Sequence, residues 1–111
     1  MIKDILTAAG VEHEQARFAR IPAGTYAVYF DDLETETADR VENPTKGLPR
    51  IYHHNITVEL YAPTKDDIAE NAIEAELDAR GLDWTKQDRY WLKDLQRYQT
   101  VYEFSYTNKT K

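Results

Sequence analysis

The chain has 111 residues, enough for one hydrophobic core and too few for two ordinary domains. Apolar residues make up 41% and charged residues 31%, a globular balance that excludes intrinsic disorder; the net charge of -6 disfavours duplex nucleic acid as a bound partner, since such binding draws on clustered Lys and Arg. Cysteine is absent, which excludes disulfides, thiolate metal sites and a cysteine nucleophile together.

The chain opens on "MIKDILTAAG", where Ile2, Ile5, Leu6 and Ala9 recur at helical spacing and Gly10 stands where a helix C′ residue takes positive φ. A short amphipathic helix is expected. The stretch 11–23 ends in "IPAG", a turn that delivers the chain into a strand over 25–30. In that strand Tyr26, Val28 and Phe30 share one face, and Thr25, Ala27 and Tyr29 the other.

Between Asp31 and Arg50 the pattern dissolves into "DDLETETADRVENPTKGLPR", read as a long loop or a protruding hairpin arm. Its first part carries Asp31, Asp32, Glu34, Glu36, Asp39 and Glu42 against Arg40 alone, so the acidity of the chain is concentrated there. An irregular segment of that length inside a small domain calls for a function or an assembly partner.

"IYHHNITVELY" then alternates, with Tyr52, His54, Ile56, Val58 and Leu60 on the expected core face. "PTKD" leads into a helix expected over 65–80, capped by Thr64 with Asp67 in the capping-box position. Ile68, Ala69, Ala72, Ile73, Leu77 and Ala79 form its apolar stripe, and Gly81 ends it. Two short strand-like pieces follow, around Trp84 and at 90–92. The last run puts Tyr98, Thr100, Tyr102, Phe104 and Tyr106 on one face. These elements predict a single α+β domain over 1–111, an antiparallel sheet with helices packed on one face, plus the acidic arm.

Chemistry has little material here. His53 and His54 are adjacent in a strand and so point to opposite faces, which prevents both from ligating one metal. His54 is expected at the edge of the core, bonded to a neighbour, and His53 outward. The arm carboxylates lack the spacing and the glycine of an EF-hand loop. There is no G-x-S-x-G and no phosphate-cradling glycine loop. No catalytic residue, metal site or cofactor is therefore assigned. The tyrosine-rich face of the last strand has two readings, core packing and protein–protein contact.

"PAGTYAVYF", the arm with "ETADR", "VELYAPTKD" entering the helix, "ARGLDW" leaving it and "LQRYQTVYEFSY" at the end together resemble the small tail-completion proteins of long-tailed bacteriophages, the tail-terminator or tail-to-head joining group. The resemblance runs from about Pro22 to Tyr106. It implies a non-enzymatic virion protein made in the cytoplasm of a bacterial host: a homo-oligomeric ring, usually six-fold, at the head-proximal end of the tail. Its partners would be further copies of itself, the tail tube protein and the head–tail connector, with DNA only passing through the lumen and no membrane involved. The residues expected to face the lumen or the next subunit are Asp31, Asp32, Glu34, Glu36 and Asp39, whose charge would repel phosphates and let DNA slide. The competing readings are a head-completion or stopper component, a small cellular binding module, and a metal-dependent enzyme using arm carboxylates with His53 or His54.

Overall fold

The computed structural model describes residues 1–15, 21–37 and 50–110. Two helices and six strands occur there in the order α1 (Ile2–Ala9), β1 (Glu12–Gln15), β2 (Tyr26–Thr37), β3 (Arg50–Ala62), α2 (Asp67–Ala79), β4 (Trp84–Lys86), β5 (Tyr90–Leu92) and β6 (Arg97–Thr110). The fold is α+β, as the element pattern predicts. The sheet runs β1-β2-β3-β6-β4, with β5 also paired to β6.

The expected antiparallel sheet needs one correction: β1 pairs parallel to β2, Glu12 opposite Tyr26 through Gln15 opposite Tyr29, so the sheet is mixed. Ten residues separate β1 from β2, which lets the chain re-enter the sheet from the same end, something a tight hairpin cannot do. The remaining pairings are antiparallel.

A second correction concerns the start of the arm. The first sheet strand does not stop at Phe30; β2 continues to Thr37, paired with β3 as far as Arg50. The polar run Asp31-Asp32-Leu33-Glu34 reads as loop because it lacks apolar alternation, yet it is held as strand by ladder bonds to β3. Residues 38–49, the rest of the expected arm, lie outside the described residues.

Both helices pack on one face of the sheet. Ile2, Ile5 and Leu6 of α1 and Ala69, Ile73 and Leu77 of α2 join Ala27 and Tyr29 of β2, Ile56, Val58 and Leu60 of β3 and Tyr102 and Phe104 of β6 in one core. On the expected core faces Ile56, Val58 and Leu60 of β3 and Thr100, Tyr102 and Phe104 of β6 are buried, whereas Tyr52, His54, Tyr98 and Tyr106 are only half-buried because they lie beyond the helix layer or at its edge. Gly10 (φ 76) ends α1 in the left-handed conformation, and Gly81 (φ 69) does the same just past α2.

The second helix is shorter than its sequence pattern. Its N-cap is Asp66, not Thr64: the Asp66 carboxylate accepts the Ala69 N–H at 3.0 Å and the Thr25 hydroxyl proton at 2.6 Å. Those bonds, the Thr25 one first, hold the carboxyl below its ordinary pKa against the opposing pull of burial. A carboxyl depressed in the fold stabilises it fully above the unfolded-state pKa and loses that contribution as pH falls through the lowered value. Asp66→Ala is expected to cost about 1–2 kcal/mol at pH 7 in urea unfolding. The gap from wild type should close on acidification through the carboxylate range; a gap that stays constant with pH would contradict the assignment.

Ile68, placed in the apolar stripe by its spacing, is 84% exposed, and Ala79 is exposed too. The buried positions are Ala69, Glu70, Ile73 and Leu77, so the inward face is rotated toward an acidic residue.

Candidate functional site

The core occupies only one half of the sheet. It takes in nothing of β2 beyond Tyr29, nothing of β3 before Ile56 and nothing of β6 after Phe104 except the partly buried Tyr106. Strands β2, β3 and β6 nevertheless run on together, with Thr37 opposite Arg50 and Arg50 opposite Thr110. A three-stranded ribbon therefore projects past the helix layer, and the protein measures 54 × 29 × 22 Å.

At the root of this ribbon sits a cluster that ties its three strands. His54 Nδ1 donates to Asp31 Oδ2 at 2.8 Å, and its Nε2 lies 3.3 Å from Asn108 Oδ1. The imidazole stacks flat on Tyr106, with centroids 4.4 Å apart and planes 3° from parallel. Burial, and secondarily the Asp31 charge, pushes the Tyr106 phenol above its ordinary pKa. Asp31 from β2, His54 from β3 and Tyr106 and Asn108 from β6 thus cross-link the ribbon where core packing ends. His54→Ala removes the stack and both polar contacts, and is expected to cost about 2 kcal/mol. Hydrogen exchange should speed up in the ribbon while the helices keep their protection; uniform loss of protection would refute a local role.

The opposite face of the ribbon has no helix over it among the described residues. It carries Asp32 opposite Asn55 and Glu34 opposite His53, both carboxylates exposed. Asn55 donates to the Asp32 carbonyl at 3.3 Å and accepts the Ser105 hydroxyl proton at 2.9 Å. The five expected lumen or interface residues therefore separate. Asp31 turns to the helix side and is engaged by His54, with its Oδ1 buried and unbonded among the described residues. Asp32 and Glu34 share the bare face, Glu36 follows in β2 opposite Ile51, and Asp39 lies outside the described residues.

His53 and His54 fall on opposite faces, as the strand pattern requires. His54 is the core-edge residue and His53 looks to the bare side, between Glu34 and Thr107. Among the described residues no three His, Cys, Asp or Glu side chains gather to hold a metal ion, and no helix is long and apolar enough to cross a membrane.

A polar network that apolar patterning missed fastens α2 to the sheet. Lys86 of β4 lies 2.8 Å from Glu70 and 2.7 Å from Glu74, and Arg89 lies 3.0 Å from both Glu70 and Asp67. Tyr102 donates its hydroxyl proton to Glu74 at 2.8 Å. Burial and that carboxylate both drive the Tyr102 phenol far above its ordinary pKa. Burial alone would lower the Lys86 ammonium, but its bonds to Glu70 and Glu74 outweigh this and hold it above its usual value. The signal was present in the sequence: Asp67, Glu70 and Glu74 stand at i, i+3 and i+7, a carboxylate stripe on one helix face.

No family model matches the chain, and no curated protein matches it. Among solved structures, one identified by a sequence label alone superposes with a TM-score of 0.60 at 13% identity, covering 98% of this chain and 86% of the other. The virion of a native gene transfer agent particle contains a chain that superposes with a TM-score of 0.53 at 18% identity, over 96% of this chain and 84% of that one. At such identities the likeness is one of fold: a helix-backed sheet of this topology also occurs in a virion.

Proposed function

We propose that the protein is a structural virion component, a tail terminator that assembles as a ring at the head-proximal end of a phage tail tube and joins tail to head. The observation that carries the reading is the ribbon: three paired strands that leave the core, with exposed carboxylates on a bare face, in a fold shared with a chain of a gene transfer agent virion. A strand array extended past its own core contributes little to the stability of a lone subunit. It makes sense as material for contact with other subunits. Asp32 and Glu34 give that material a negative surface over which DNA passes without being held.

The reading is tested by electron microscopy of particles assembled without this protein. Tails of uncontrolled length, or tails separated from heads, are the expected result; normal joined virions would overturn it. The head-completion alternative is distinguished in the same particles, because its loss would leak DNA from filled heads while leaving tail length controlled. In particles carrying Asp32→Lys with Glu34→Lys, the protein should remain folded while infectivity falls. Unchanged infectivity would show that the acidity is incidental.

A further inference from the structure

Three large apolar side chains left in solvent fall close together in the chain: Tyr90 is 57%, Trp91 46% and Leu95 43% exposed. None of them belongs to the core. They sit on β5 and on the turn 93–96 that leads into β6, at the end of the sheet opposite the ribbon. Strand β6 starts beside this turn, with Arg97 opposite Leu92, and ends in the ribbon, with Thr110 opposite Arg50.

The turn is held in one shape. Gln96 takes φ 53, the one left-handed non-glycine among the described residues and an unfavourable conformation for a residue with a Cβ. Its side-chain amide donates to the Lys93 carbonyl at 2.8 Å. The Arg97 guanidinium donates to the carbonyls of Gln96 at 3.1 Å and of Ala23 at 3.0 Å. Trp91 packs edge-on against Tyr98, with ring centroids 4.8 Å apart. Side-chain bonds and a left-handed residue thus fix a turn whose apolar side chains the core does not use. A contact surface ordered in advance binds with less loss of freedom, and tryptophan and tyrosine are the side chains that most often dominate such contacts.

The exposed area decides what kind of contact this is. At about 150–250 Å² for each aromatic side chain, the three together leave about 300 Å² in solvent. A stable pair of proteins buries about 800 Å² on each partner, so two such tips set against each other cannot hold two copies together. Side chains displayed outward on a hairpin turn are complemented by a recess. So small a contact becomes firm when many copies make it at once.

We infer that the tip formed by Tyr90, Trp91 and Leu95 is an anchor that seats in an apolar recess of a second structural protein of the particle, one repeated around the same ring. The inference rests on the virion reading above and names the contact through which each copy docks.

The natural chain has no cysteine, so a single introduced cysteine directs a photo-cross-linker to one position. Leu95→Cys and, as a control, Ala75→Cys on the exposed side of α2 would be labelled with a benzophenone maleimide, added to particles assembled without the protein, and irradiated. The expected product holds this chain and one other virion protein, and forms about 10-fold or more less from the Ala75→Cys protein. Exclusion of labelled Leu95→Cys from particles that accept labelled Ala75→Cys would support the inference as well. Trp91→Ala should keep Tm within about 4 °C of wild type, because Trp91 lies outside the core, while its incorporation falls about 10-fold or more.

Cross-links to further copies of this chain alone would overturn the anchor. So would particles that contain labelled Leu95→Cys and yield no cross-link, or a folded Trp91→Ala variant that incorporates normally. Each of these leaves the virion reading standing. Folded wild-type protein that never enters the particles would overturn both.

Discussion

Replacing Lys86 and Arg89 together by methionine is expected to destabilise the fold clearly, because it leaves the buried Glu70 carboxylate without its cationic partners. Glu70 is 4% exposed and receives Lys86 at 2.8 Å and Arg89 at 3.0 Å. Without them its carboxylate retains, among the described residues, a long contact from the Thr100 hydroxyl at 3.4 Å. In a chain of this size each kcal/mol moves Tm by about 4 °C or more, so thermal unfolding would show the loss plainly. Either single replacement should cost much less, because the remaining cation still faces Glu70. Adding Glu70→Met to the double variant should recover most of the stability, since an apolar side chain of similar length needs no counter-charge. A triple variant as unstable as the double one would show that Lys86 and Arg89 act through packing rather than through the buried carboxylate.

Leu77→Ala is expected to cost about 3 kcal/mol, within the range for a fully buried leucine whose cavity relaxes only in part. Leu77 is 1% exposed in the core that joins α2 to the sheet. Ile68→Ala, in the same helix and in the same stripe by sequence spacing, should change stability by no more than about 0.5 kcal/mol, because Ile68 gives up water only slightly on folding. Urea unfolding of the two variants gives the comparison. Similar losses at both positions would mean that the helix is rotated from the orientation described here.

The pairing of these two residues shows how far the apolar pattern reaches. Spacing located α2 and named Ile73 and Leu77 correctly. It could not say that the buried face turns past Ile68 to Glu70, because that rotation depends on Lys86 and Arg89 arriving from another element. The start of the helix behaves in the same way. Thr64 is a reasonable cap by local rules, but Asp66 takes the role with a second bond from Thr25, forty-one residues away. Local preference is a matter of tenths to one kcal/mol, and a tertiary hydrogen bond is enough to override it.

The acidic run after Phe30 is the sharper case. Nothing in Asp31-Asp32-Leu33-Glu34 favours a strand by composition, since Asp in particular is depleted there. The segment is a strand because β3 lies beside it, Asp32 opposite Asn55 and Glu34 opposite His53. Strand β1 was unread for a related reason. Four polar residues have no periodicity to detect, and their parallel pairing with β2 is a fact about distant chain segments.

By itself the sequence determined the α+β class, the first helix and its glycine stop, which faces of β3 and β6 turn to the core, and the separation of His53 from His54. All of these follow from side-chain periods of 3.6 and 2 and from backbone freedom at glycine, which are properties of a few consecutive residues. Only the tertiary structure decided that β2 extends into a ribbon, that Asp31 turns inward to His54 while Asp32 and Glu34 stay on the bare face, and that Glu70 is buried against two cations. Those outcomes depend on which segments become neighbours. A carboxylate reads the same in the chain whether it ends up in solvent, on an imidazole or under a lysine.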